Sequence, residues 1–135
     1  LMTSRRGTLV EEGARELLQV HGYRVRVIPP GFDKKLPPAH LVAERDSGEK
    51  RFIRIRKFSH LPSTVDMVMQ KCGLDLTQFR KHLERHIDKA EYHYEIWIYT
   101  LTHGFRCFEV MRDSIREIPK RSLYRSAASH AGGAA

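Results

Sequence analysis

The strand Ile53-Arg54-Ile55-Arg56-Lys57, with the hairpin that leads into it, constrains this chain more than any other segment. The hairpin begins at His40-Leu41-Val42-Ala43 and turns at Asp46-Ser47-Gly48. Side chains alternate faces along a strand, so Ile53 and Ile55 share one face and Arg54 and Arg56 the other. The apolar face requires a core. The opposite face sets two guanidiniums side by side, and His40, at the start of the neighbouring strand, completes a cationic cluster. Like charges at that spacing repel, so the cluster calls for an anion, a neighbouring carboxylate or open water. Phosphate is the obvious anion.

The remaining elements read in order. Thr8 to His21 carries Leu9, Val10, Ala14, Leu17 and Leu18 at helical spacing, with Thr8 at the N-cap and Gly22 at the left-handed C-terminal position. Tyr23-Arg24-Val25-Arg26-Val27 alternates apolar and basic, which predicts a half-exposed strand ending at Pro29-Pro30. Pro29 to Pro38 is loop, with Lys34 and Lys35 at its tip. Ser63 reads as the cap of a short helix that stops at Gly73. A longer helix is expected from Leu76 to Lys89, with Leu76, Phe79, Leu83, Ile87 and Ala90 on one face. Tyr94 to Tyr99 is strand-like and turns at Thr102-His103-Gly104 into a second strand, Phe105 to Val110. A short element at Ser114 to Ile118 ends at Pro119. Strands interrupted by helices predict an α/β sandwich, a central mixed β-sheet flanked by α-helices.

The chain has 135 residues, enough for one domain with a real core. That domain is expected over residues 7–119. Residues 120–135 turn to Ser, Ala, Gly and His among a few basic residues, which predicts a flexible tail. Lys and Arg exceed Asp and Glu by 24 to 16, a formal charge of +8, which favours polyanionic partners such as nucleic acid or acidic lipid. Cys72 and Cys107 stand far apart with no CxxC spacing, so neither a zinc site nor a disulfide framework is indicated, and a reducing cytoplasmic setting fits. No apolar run approaches membrane-spanning length, and no signal-type apolar core follows Arg5 and Arg6.

Three stretches of this pattern resemble the PD-(D/E)XK nuclease superfamily, and within it the archaeal Holliday junction resolvases. Gly7-Thr8-Leu9-Val10-Glu11 opens a helix ending at Gly22-Tyr23, where such nucleases carry a helical glutamate. Pro38-Ala39-His40-Leu41-Val42-Ala43 stands at the family's Pro-Asp before an apolar strand. Ile53-Arg54-Ile55-Arg56 stands where an apolar residue, an acid, an apolar residue and a lysine are expected. The resemblance implies the restriction-endonuclease-like fold and a site at Glu11, His40, Arg54 and Arg56. In the family the two acids hold Mg²⁺, a hard cation that takes oxygen ligands and stabilises charge on the phosphoryl group. Here His40 and Arg54 replace those acids and Arg56 replaces the lysine, leaving only Glu11. The resemblance therefore implies the architecture without the hydrolysis, and self-association of the kind common in the family.

For Arg54 and Arg56 two readings stay open. One is a phosphate pocket in which planar guanidiniums make bidentate contacts. The other is an internal ion-pair network with Glu11, Glu12 or Glu44, of which an ion pair to Glu11 is the resting state that the resemblance implies. His40 is read as a hydrogen-bonded side chain or, when protonated, as a phosphate ligand. His82 and His86 have chelating spacing, but HExxH is absent, and a solvated basic edge is the simpler reading.

The leading functional expectation is a catalytically inactive nuclease-like domain that binds nucleic acid without sequence specificity. His40, Arg54 and Arg56 would contact phosphate, supported by Lys57, Arg24 and Arg26, with no metal or other cofactor. Lys34, Lys35, Lys120, Arg121 and Arg125 would extend that surface. The alternatives are a protein-interaction or dimerisation scaffold, and a Mg²⁺-dependent endonuclease whose site has moved to Glu11 with Glu44 or Asp46.

Overall fold

The computed structural model describes residues 2–29, 37 and 39–119, with side chains from residue 9 onward. The expected tail at 120–135 and the loop lysines Lys34 and Lys35 lie outside them. The chain runs α1 (Met2–Val20), β1 (Arg24–Val27), β2 (Leu41–Glu44), β3 (Lys50–Lys57), α2 (Val65–Lys71), α3 (Gly73–Arg85), β4 (Tyr92–Thr100), β5 (Gly104–Val110) and β6 (Ile115–Ile118). Six strands form one sheet in sequence order. Neighbours are antiparallel except β3 and β4, which are parallel. A parallel pair needs a crossover, and α2 with α3 supplies it.

The alternation in β3 divides the core in two. Ile53 and Ile55 pack with Leu41, Ala43, Trp97 and Cys107 beneath Ala14 and Leu18 of α1. On the reverse face Phe52 packs with Val42, Tyr94, Ile96, Ile98 and Phe108 beneath Val68 of α2 and Leu76 and Phe79 of α3. The result is an α/β/α sandwich. β4 lies at its centre and buries Tyr94 through Ile98 without a break, as expected of a strand covered on both faces. Both the Trp97 face and the Ile96–Ile98 face are therefore core.

Several boundaries differ from the sequence reading. Thr8 lies inside α1 rather than at its cap. Thr64, not Ser63, caps α2, its hydroxyl accepting from the Met67 N–H at 3.2 Å. Gly73 opens α3 instead of closing α2. α3 stops at Arg85, so Ile87 and Ala90 are exposed beyond the apolar face on which they were placed. Gly22 and Gly48 do take the positive φ that their turns require, at 91° and 94°.

Candidate phosphate site

The cationic cluster forms at the C-terminal end of β3. His40, immediately before β2, and Arg54 and Arg56 of β3 emerge on the sheet face that carries α2 and α3. The register carries the pattern across: Leu41 pairs with Ile53, so the preceding His40 stands opposite Arg54, while Arg54 and Arg56 oppose Ile96 and Ile98 of β4. Cys72 links α2 to α3, and this short link sets the first turn of α3 over the two arginines.

That first turn supplies the carboxylate. Asp75 Oδ1 lies 3.4 Å from Arg54 Nε, and Asp75 Oδ2 lies 3.5 Å from Arg56 Nε. The aspartate side chain is 6% exposed, whereas the arginines retain 28% and 37%. One buried carboxylate thus bridges two guanidiniums from behind, and an acid in the first turn also complements the helix dipole. The expected pairing with Glu11, Glu12 or Glu44 is corrected here. Glu12 pairs with Arg15 at 3.0 Å, and Glu44 lies near Arg26 and Lys50 at 4.0 and 3.7 Å. Glu11 belongs to α1, on the other face of the sheet. Burial raises its carboxyl, and Lys57, the charged neighbour that opposes the shift, turns to the same face. Alternation shows that two faces exist but not which helix covers each, and the pairing of Glu11 with the arginines rests on the resemblance alone.

His40 is fixed at three points. Its N–H donates to Ile53 O at 2.8 Å, its carbonyl accepts from Ile28 N at 2.8 Å, and its Nδ1 accepts from the Ile55 N–H at 2.9 Å. Burial, then Arg54 and Arg56, lower its pKa to about 4. The ring is therefore neutral at neutral pH. With Nδ1 accepting, the ring proton sits on Nε2. Of the two readings of His40, the hydrogen-bonded one is what the structure shows, and the ring offers an N–H dipole, not a charge.

Arg24 and Arg26 sit on the edge strand β1, on the same sheet face as Arg54 and Arg56. They are exposed beside Asp46 and Glu44. Glu44, four residues from His40, stands about 13 Å further along β2 at ~3.3 Å per residue. Glu11, carried by α1, and Glu44, on the face of α2 and α3, lie on opposite sides of the sheet. The four side chains that do converge do not suit Mg²⁺. Guanidiniums offer no lone pair, His40 Nδ1 is already occupied, and the Asp75 oxygens face two cations. Among the described residues no three His, Cys, Asp or Glu side chains are grouped to hold a metal ion.

A second polar cluster, unsuspected from sequence, lies on the α1 face. Arg51 Nη1 lies 3.1 Å from Glu95 Oε2, Arg51 Nε donates to Glu49 at 2.8 Å, and Tyr23 donates its hydroxyl to Glu49 at 2.5 Å. Beside it His93 Nδ1–H donates to Glu109 at 2.9 Å, and Arg116 donates to Glu109 at 2.6 Å. The bond to Glu109 raises the His93 pKa above 6.5, and the bond from His93 is the largest influence lowering Glu109 from 4.5 to about 2. The His93 contribution is fully present below pH 6.5 and is lost as pH rises through the raised folded value. The Glu109 contribution is present above pH 4.5 and is lost as pH falls through about 2. The stability difference between wild type and His93→Gln should therefore be larger at pH 6 than at pH 8 in urea unfolding. An equal difference at both would show that Arg51, Glu95 and Arg116 outweigh the pair.

His82 of α3 and His86 at its C-cap are not a uniform solvated edge. His82 is buried, with Nδ1 2.7 Å from the Tyr94 hydroxyl, and stacks on the half-buried His86 at 4.1 Å. Cys72 and Cys107 are both buried.

A six-stranded mixed sheet with one helix on one face and two on the other is the restriction-endonuclease-like fold. Among solved structures the chain is similar to Hjc, a Holliday junction resolvase from the archaeal hyperthermophile Archaeoglobus fulgidus. The TM-score is 0.51 at 15% identity, over 87% of this chain and 90% of that one. No protein-family profile and no curated protein matches the chain. No helix among the described residues is long and apolar enough to cross a membrane.

Proposed function

We propose that this chain is a nuclease-fold domain that binds nucleic acid through phosphate and does not hydrolyse it. The observation that carries the proposal is the convergence of His40, Arg54 and Arg56 at the end of β3, two cations on partly exposed side chains and an N–H donor. Arg24 and Arg26 stand exposed on the same sheet face, where a polyanion would compete with Asp46 and Glu44 for them. The formal charge of +8 adds a long-range attraction for a polyanion. Guanidiniums take phosphate oxygens bidentately, and contacts to phosphate carry no sequence information, so the binding is non-specific.

Fluorescence anisotropy of a labelled duplex across a salt series tests this. If about five phosphates are neutralised, log K falls against log salt with a slope of roughly −4 to −5, and Arg54→Ala with Arg56→Ala makes that slope shallower by about 2. A slope near zero, or one that the double variant leaves unchanged, overturns the assignment of these arginines. A nuclease with a displaced site predicts hydrolysis instead. Cleavage of branched or nicked DNA in Mg²⁺, abolished by Glu11→Ala, would establish it in place of the binding reading.

A further inference from the structure

We infer that Asp75 is a specificity-determining residue of this site, narrowing the preference that its two guanidiniums alone would give the doubly charged phosphate of a nucleotide or strand end over the singly charged phosphodiester of a nucleic-acid backbone. The inference rests on the phosphate-binding reading above and names the ligand class of the same site.

Asp75 is buried, and its two oxygens each face a different guanidinium through Nε. The Nε edge of each arginine faces this carboxylate, at 3.4 Å for Arg54 and 3.5 Å for Arg56, and is turned away from a ligand, while both side chains stay partly exposed. His40 adds Nε2–H without charge, because its Nδ1 accepts from the Ile55 N–H. These four side chains together carry one net positive charge. A diester also carries one charge, spread over two non-bridging oxygens that match a pair of forked donors. A second negative charge on the ligand would stand against the Asp75 carboxylate.

Coulomb energy is linear in ligand charge. Removing Asp75 therefore strengthens binding of every anion, but a dianion gains about twice the free energy of a monoanion, so its affinity gain is about the square of the other's.

The experiment titrates the Nε–H resonances of Arg54 and Arg56 with dimethyl phosphate, a monoanionic diester, and with methyl phosphate at pH 8, where it is dianionic. Wild type, Asp75→Asn and Asp75→Ala are compared at constant ionic strength. A gain of about threefold for the diester should come with a gain of about tenfold for the monoester. Arg56→Gln, at a partly exposed side chain expected to fold normally, must shift the ratio of the two affinities the opposite way. Equal gains for both anions in the Asp75 variants, or none, overturn the role of Asp75 and leave phosphate binding standing. If neither anion moves the resonances in any variant, the phosphate site itself fails and the inference with it. Should both Asp75 variants fail to fold, Asp75→Asn is read in an Arg54→Gln background, which relieves the repulsion left between the two arginines, and equal gains for both anions there overturn the inference.

Discussion

Arg51→Met should lower the unfolding free energy by about 3–5 kcal/mol, measured by urea denaturation at pH 7. Glu95 is 1% exposed at the centre of the sheet, and burial raises its carboxyl pKa. Trp97 Nε1–H donates to Glu95 Oε1 at 2.9 Å, but the compensating charge comes from Arg51, whose Nη1 lies 3.1 Å from Oε2 without hydrogen-bond alignment. Methionine leaves a buried carboxylate facing an apolar chain, and a charge stranded in that way costs far more than the intact pair contributes. The double variant Arg51→Met with Glu95→Gln should recover most of the loss, because glutamine can still accept from Trp97 and needs no counter-charge. A loss below about 1 kcal/mol, or no recovery in the double variant, would mean that solvent reaches Glu95 and that the network is not a buried one.

The sheet was legible because its signals are local. Alternation in Ile53 to Lys57 fixes two faces, and Gly22 and Gly48 mark turns that need positive φ. The helix boundaries were less so. A glycine after a short helix reads as a stop, yet Gly73 has no positive φ, and Cys72 O accepts from Leu76 N–H to carry the chain into α3. Helical spacing continues to Ile87 and Ala90, but α3 ends at Arg85 and leaves both exposed.

The site was half legible for the same reason. His40, Arg54 and Arg56 come together because strand parity and hairpin register fix them, and both are written in consecutive residues. Asp75 comes to them through a crossover about twenty residues later in the chain, and with α3 read as starting at Leu76 it stood outside any element. An aspartate in the first turn of a helix was the available signal, but such residues are common because they complement the helix dipole. Only tertiary packing turns this one into the counter-ion of two arginines. The Arg51–Glu95 pair was hidden in a different way. A glutamate inside Tyr94-Glu95-Ile96-Trp97 reads as a break in an apolar run, and nothing local shows that Arg51, beside the cross-strand partner of Glu95 in β3, supplies its charge.

The triple variant His40→Asp, Arg54→Glu, Arg56→Lys should acquire divalent-ion binding, read by calorimetry with Mg²⁺ and Mn²⁺, where wild type gives no heat of binding. With Asp75 in place, the four side chains pass from one net positive charge to two net negative charges. Carboxylates at positions 40, 54 and 75 then supply the oxygen donors a hard cation takes, and lysine at position 56 stays beside them. Like charges gathered so closely lower the stability of the metal-free form. The added ion should therefore also raise the thermal midpoint, by an amount equivalent to about 2.7 kcal/mol at a hundredfold excess over Kd. A folded triple variant that binds neither ion would show that the end of β3 is not shaped for a metal, and wild type binding Mg²⁺ as tightly would show that the cationic side chains do not decide the matter. Binding confined to the triple variant would mean that the fold retains the shape of a metal site and that side-chain chemistry at three positions separates phosphate recognition from metal chemistry.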